Sequence, residues 1–100
     1  MSEALEVTTF RLAPGLTGAD FVAANEDINA YLLRQRGFRW RRITMTSDGV
    51  VIDVIAWESA ADGRRSASGI LTEMADSPVH DTIDQDTVEF RIAPVLQHKT

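Results

Sequence analysis

The stretch VIDVIAWES, from Val51 to Ser59, decides the fold because it joins a strand directly to a helix. The segment from Val50 to Trp57 is rich in the β-branched residues that are typical of strands. Ser59 and Asp62 then form a capping pattern, since a hydroxyl and a carboxylate at this spacing can accept hydrogen bonds from the free amides of a helix's first turn. We therefore expect a strand to end at Trp57 and a helix to begin immediately after Ser59.

A hairpin precedes this junction. Asp48-Gly49 is a strong hairpin signal because glycine adopts the positive φ that the turn requires, so Phe38 to Thr46 is expected to pair antiparallel with Val50 to Trp57. Two registers remain open at this point. A three-residue turn, Ser47 to Gly49, separates the polar and aromatic side chains of the two strands. A two-residue turn instead places five side chains on one face: Trp40, Arg42, Asp53, Ile55 and Trp57.

The remaining elements complete one domain that spans residues 1–100. Alternating apolar residues predict strands from Ala4 to Ala13 and from Thr87 to Val95. Helical spacing and a capping box at Thr17 and Asp20 predict a helix from Thr17 to about Arg36, and a weaker helix follows Ser59 as far as Ala75. The order βαββαβ predicts a ferredoxin-like α+β fold, in which a four-stranded antiparallel sheet carries two helices on one face.

Five short motifs mark the boundaries of these elements: Leu12 to Gly15 (LAPG), Gln35 to Phe38 (QRGF), Asp48-Gly49, Ile55 to Ser59 (IAWES) and Ile83-Asp84. Together they resemble the dimeric α/β-barrel superfamily, including its antibiotic-biosynthesis-monooxygenase-like members and small members of unassigned role. The resemblance implies that two ferredoxin-like protomers place their sheets face to face. It implies less about activity, because members include cofactor-independent and haem-degrading monooxygenases and muconolactone-isomerase-like enzymes.

The predicted sheet gives a separate reason to expect a homodimer. With both helices on one side, its other face is left uncovered, and that face carries large apolar residues in either hairpin register. A second copy of the chain is the simplest cover, because a chain that meets itself most readily forms a closed two-fold contact.

Composition limits the partners of this domain. The chain has 44% apolar and 25% charged residues, no cysteine and no apolar run long enough to span a bilayer, so we expect no membrane association. Its first residues, Met1 to Glu6, lack the basic start and apolar stretch of a secretion signal, which favours a cytoplasmic location. Two isolated histidines offer no metal-ligand cluster, and we expect neither a metal nor a cofactor because no phosphate-binding, flavin or nicotinamide motif is present.

Five arginines between Arg34 and Arg42, interleaved with aromatic residues, raise the alternative of a nucleic-acid-binding sheet. The formal charge of −5 and the acidic stretch from Glu73 to Glu89 oppose a polyanion. The aromatic-rich strand of an RNA-recognition motif is also missing. We therefore expect no nucleic-acid partner and assign these arginines to contacts with acidic residues.

Seven side chains are candidates for a site. Asp53 stands out because a carboxylate within an apolar strand needs a partner, and Arg42 lies diagonally opposite it in the two-residue register. Asn25 lies on the apolar face of the first helix, where its amide either bonds locally or points into a cleft. His80 is next to Asp81, a carboxylate that can orient a base. Asn25, Arg42, Asp53, Trp57 and His80 are the catalytic candidates, and Tyr31 and Trp40 are the ligand-binding candidates.

These observations lead to two hypotheses. The first is a cofactor-independent, monooxygenase-like enzyme or small-molecule binder that acts on an aromatic or enolisable compound. The resemblance implies that a haem-degrading member would carry an axial histidine and a tryptophan on the second helix. Haem degradation is therefore disfavoured, because the helix from Ala60 to Ala75 has no tryptophan and His80 falls beyond Pro78. The alternative is a non-catalytic dimerisation or interaction module, in which the candidate residues form ion pairs, packed amides and core aromatic contacts.

Overall fold

The structure, a computed structural model, describes residues 2–100. Within them the chain forms strands and helices in the predicted order, except that the first predicted helix is divided in two. The elements are β1 (Ala4–Leu12), α1 (Gly18–Ala24), α2 (Glu26–Leu33), β2 (Phe38–Met45), β3 (Val50–Trp57), α3 (Ala60–Thr72), a 3-10 helix (Pro78–Thr82) and β4 (Ile83–Pro94).

The four strands form one antiparallel sheet in the order β2-β3-β1-β4. Helix α3 packs on β1, β3 and β4. The core lies between helices and sheet, where Phe10 and Ile55 of the sheet join Phe21, Ile28 and Leu32 of α1 and α2. This arrangement confirms the predicted ferredoxin-like α+β fold.

The hairpin between β2 and β3 has a three-residue turn. The Thr46 amide donates to the Val50 carbonyl at 2.9 Å, and Gly49 adopts a φ of +92°, a conformation that glycine enters without steric cost. Ile43 therefore lies opposite Asp53, and a bulge follows between Phe38 and Trp40. The two-residue register that grouped five side chains is wrong.

The consequence of this register is that Trp40 and Arg42 lie on the sheet face away from the helices. Trp40 pairs with Ala56 and Arg42 with Val54, whereas Trp57 points into the core. The guanidinium of Arg42 stacks on the Trp40 ring, 4.8 Å from its centroid.

The single helix predicted from Thr17 is interrupted at Asn25. Its capping box is present, but Asn25 has φ −98° and ψ 12°, and its Nδ2 donates back to the Val22 carbonyl at 2.8 Å. Asparagine competes with helical bonding in this way because its short side chain reaches nearby backbone groups. Asn25 lies at the junction of α1 and α2 and is fully buried.

The uncovered face of the sheet is apolar at its centre, as predicted. Its half-buried residues come from β1 and β3: Leu5, Val7, Ile52 and Val54. Trp40 lies toward the β2 edge of this face and is 37% exposed. Within residues 2–100, no helix is long and apolar enough to cross a membrane.

Candidate functional site

A cleft of about 450 Å³ lies between the helix-facing side of the sheet and the helices. It opens beside the exposed side chains of Leu71 and Phe90, where α3 faces β4. Its walls are apolar: Phe10, Phe21, Ile28, Ile55, Ile70 and Val79. A volume of this size suits a compact organic molecule of two or three rings.

One part of the cleft is lined by charged side chains, Glu6, Arg41 and Asp53. These three belong to a larger set of polar groups, which we term the polar cluster: Glu6, Asn25, Asn29, Arg41, Asp53 and Trp57. Hydrogen bonds join Arg41 to Asp53, Asn25 and Asn29, and a separate one joins Trp57 to Glu6.

Arg41 is the centre of the polar cluster. Its Nε and Nη2 donate to the two oxygens of Asp53 at 3.0 and 2.6 Å, and the two side chains are only 9% and 12% exposed. Its Nη1 donates to the side-chain oxygens of Asn29, at 2.8 Å, and of Asn25. Asp53 therefore has the buried ion-pair partner that its position required, but the partner is Arg41 and not Arg42. The three-residue turn explains this, because it turns Arg41 toward the helices.

Glu6 is the second carboxylate of the cluster. It lies on β1 opposite Ile55, is 5% exposed, and accepts a hydrogen bond from Trp57 Nε1 at 3.0 Å through Oε1. Burial raises the pKa of Glu6 to about 7, the Trp57 hydrogen bond opposes this, and the charges of Asp53 and Arg41 act in opposite directions. At neutral pH this carboxyl therefore exists in both protonation states.

Sequence reasoning missed Glu6. The signal was the alternation of β1, where Glu6 shares its face with Thr8 and the buried Phe10. A carboxylate at an inward-facing strand position is unusual, and this argument singled out Asp53 in the hairpin. Applied to β1, it would also have identified Glu6.

The structure brings three of the predicted site residues together and separates the others. Asn25, Asp53 and Trp57 belong to the polar cluster. His80 lines the other part of the cleft, with Nε2 2.9 Å from the Met74 carbonyl. Tyr31 is a core residue whose hydroxyl donates to the Ser66 carbonyl at 2.9 Å, and it does not line the cleft. Two residues lie on the opposite face of the sheet, Trp40 and Arg42.

The cleft combines an apolar volume with a buried carboxyl, that of Glu6, whose pKa is raised to about 7. The group of Glu6, Arg41 and Asp53 has a formal charge of −1 when Glu6 is ionised and zero when it is protonated. Such a site favours an uncharged aromatic molecule that can give a proton to a carboxylate. Within the described residues, 2–100, no group of three or more His, Asp or Glu side chains is arranged to hold a metal ion.

Several solved structures that share this fold are described as a cofactor-independent oxygenase or as antibiotic biosynthesis monooxygenases, and the similarity confirms the fold that the resemblance predicted. SnoaB, a cofactor-independent oxygenase from Streptomyces nogalater, is 17% identical, with a TM-score of 0.75 over 98% of this chain and 97% of its own.

Two further structures extend this comparison. A monooxygenase from the gene ActVA-Orf6 of Streptomyces coelicolor, in complex with the ligand nanaomycin D, is 16% identical, with a TM-score of 0.74 over 99% and 92% of the two chains. A candidate antibiotic biosynthesis monooxygenase from Bordetella bronchiseptica is 17% identical, with a TM-score of 0.75 over 97% and 100%. No protein-family model and no curated protein matches the sequence. At these identities the similarity establishes the fold, and activity has to be argued from the cleft.

Proposed function

We propose that this protein is a cofactor-independent monooxygenase-type enzyme that binds a small aromatic or enolisable compound in the cleft. The observation that carries the proposal is the cleft itself, an apolar volume of about 450 Å³ that contains a buried carboxyl with a pKa of about 7. Buried groups with strongly shifted pKa values in a cleft are typical of active sites, because acid–base catalysis needs a proton affinity near the working pH.

The structural neighbours support this class of chemistry. One is named as a cofactor-independent oxygenase and another as a monooxygenase with a bound ligand, and both share the fold over more than nine-tenths of each chain. The fold alone hosts several activities, so these names support the proposal only together with the cleft.

The reaction needs a substrate whose own anion reacts with dioxygen. An electron-rich phenol or an anthrone meets this requirement, because loss of a proton leaves an anion that can pass electrons to oxygen. One oxygen atom then enters the substrate as a carbonyl and the other leaves as water. The two hydrogens of that water come from the ring CH2 group of an anthrone, or from one ring C–H and the O–H of a phenol. The protein's part is to exclude bulk water, orient the rings and hold the Arg41 cation near the anion as it forms.

Oxygen uptake with a panel of hydroquinones and anthrones tests the proposal. Ala67 lines the cleft from α3, and an A67F variant is expected to fill it and abolish turnover. Ala61 is exposed on the same helix and does not line the cleft, so A61F is the matched control and should keep full activity. If no compound consumes oxygen faster with the protein than without it, or if A67F is as active as the parent, the monooxygenase proposal is wrong.

We further propose that the protein is a homodimer in which the uncovered sheet faces meet. The exposed Trp40 and the half-buried apolar centre of that face support a second copy as its cover. The same face supports the second candidate function, a non-catalytic dimerisation module. The A67F experiment separates the two, since a module of that kind has no need of an open cleft.

A further inference from the structure

Glu6 and Asp53 differ in what they can offer a ligand. Both oxygens of Asp53 accept hydrogen bonds from Arg41, which commits that carboxylate to the ion pair. Glu6 has only Oε1 fixed, by the Trp57 indole. No side chain or amide in residues 2–100 donates to Oε2, and Glu6 is a lining residue of the cleft. One oxygen is thus held in place while the other is free to meet a bound molecule.

We propose that Glu6 is the catalytic base of this cleft, and that its substrate is an uncharged phenol or enol whose hydroxyl group hydrogen-bonds to Oε2. This inference rests on the proposed function and names its base and its substrate class. In the step concerned, the O–H bond of the substrate breaks and its proton forms a new O–H bond on Oε2. The electron pair stays on the substrate oxygen, which gives the phenolate or enolate that dioxygen then oxidises.

The charges of the cleft support an uncharged substrate. Arg41 is neutralised by Asp53, so an ionised Glu6 leaves the site with one negative charge before the substrate enters. Proton transfer moves that charge from Glu6 to the substrate and adds none to the buried site, which avoids the cost of bringing a new charge into an apolar environment. A substrate that carries its own carboxylate would meet this negative charge and bind more weakly.

Trp57 acts as a positioning residue for this base. Its ring is fully buried and its indole N–H fixes Oε1, which restricts the rotation of the carboxyl group. The charged or titratable groups that line the cleft with Glu6 are Asp53 and Arg41 from the sheet and His80 from the 3-10 helix. Because His80 is a further titratable side chain of the cleft, an H80Q variant has to accompany any pH measurement.

The test is calorimetric binding of 2-naphthol, which has a hydroxyl, and of 2-methoxynaphthalene, which has none, between about pH 5.5 and 8.5. For the intact protein, the affinity for 2-naphthol should rise about tenfold as Glu6 ionises, because a hydrogen bond to a carboxylate is stronger than one to a carboxylic acid. The methyl ether should show no such rise. E6Q should bind both compounds without this pH dependence, and the exposed-site control E58Q should behave like the intact protein. H80Q alters the lining of the cleft, so its affinity can differ, but the affinity for 2-naphthol should still rise with pH.

Three results would overturn the inference. The first is an affinity for the methyl ether that rises with pH as much as the affinity for 2-naphthol does. The second is an affinity for 2-naphthol that still rises with pH in E6Q. The third is no binding of either compound at any pH. E6Q is expected to fold, because the glutamine oxygen can still accept a hydrogen bond from the Trp57 indole. Its near-ultraviolet circular dichroism spectrum verifies that it does. If oxygen uptake occurs without the pH-dependent binding, the enzyme proposal stands and Glu6 is not its base. If the binding result is obtained without oxygen uptake with any compound, the proton-accepting site stands and the monooxygenase proposal is wrong.

Discussion

Burial of Glu6 makes the stability of the protein depend on pH. The folded state raises the pKa of this carboxyl from its usual 4.5 to about 7, so the folded protein favours the protonated form. The stabilisation that comes from protonated Glu6 is therefore complete below pH 4.5 and is lost as the pH rises through about 7. The resulting difference in the free energy of unfolding amounts to about 3 kcal/mol.

The E6Q variant removes this dependence. Between about pH 4.5 and 8, the free energy of unfolding of the intact protein should fall by about 3 kcal/mol relative to that of E6Q. Urea unfolding at the two pH values measures this difference, and E58Q, at an exposed site, serves as the control. A constant difference between the intact protein and E6Q would show that Glu6 ionises normally in the folded state.

The Arg41–Asp53 pair predicts a large effect of a single substitution. D53A leaves the buried guanidinium without its counter-charge and should destabilise the protein by about 3 to 5 kcal/mol. D86A, at an exposed position of β4, should change stability by less than about 0.5 kcal/mol. Thermal unfolding of the two variants checks this, and equal melting temperatures would mean that the ion pair between β2 and β3 does not stabilise the fold.

At the residue level the sequence identified the unusual charge but not its partner. Asp53 could be recognised because a carboxylate inside an apolar strand needs compensation. Arg41 and Arg42 are neighbours in sequence, and only the length of the hairpin turn decides which of them faces Asp53. The turn motif is compatible with both lengths, so this choice could not be made before the structure was known.

Among the elements, α3 depends on close contact with the rest of the core. Its glycines and serines give it little intrinsic helix propensity. A Cβ at Gly69 would overlap the Tyr31 hydroxyl, which donates to the Ser66 carbonyl of the same helix. The small residues of α3 allow this close approach, and Tyr31 is the residue that makes use of it.

Substitution of Gly69 should therefore lower the stability of the protein even though it raises the helix propensity of α3. G69A would raise helix propensity in isolation, yet it should lower the free energy of unfolding by about 1 to 3 kcal/mol, because Tyr31 has to move. S68A, at the neighbouring exposed position, should be neutral or slightly stabilising. Urea unfolding compares the two, and a G69A protein as stable as S68A would contradict the close packing of α3 on Tyr31.

The capping patterns at Thr17 and Ser59 located both helix starts, because a cap is a local interaction between residues close in sequence. The break at Asn25 was missed because its local hydrogen bond to the Val22 carbonyl is only one of the contacts that stabilise it. Asn25 is stabilised by its contact with Arg41, which belongs to another element and is brought near only by the fold. The whole βαββαβ order was predictable, since each element has its own local pattern and the connections are short.

For the whole molecule, the uncovered sheet face predicts a dimer at micromolar concentration. Sedimentation should give twice the 11.1 kDa mass of the chain. V54E places a charge at the centre of this face and should yield a folded monomer, whereas A61E, on the exposed side of α3, should remain a dimer. A stable monomer of the unaltered chain, or a dimeric V54E, would rule out this interface.

The claim that the cleft is the binding site can be tested on the two tryptophans. The Trp57 indole N–H donates to Glu6 at the cleft, and Trp40 lies on the opposite face of the sheet. In a nitrogen–proton correlation spectrum, addition of 2-naphthol should shift the Trp57 indole resonance and leave that of Trp40 unchanged. A shift of the Trp40 resonance alone, or of neither, would contradict the assignment of the cleft as the site of this protein's chemistry.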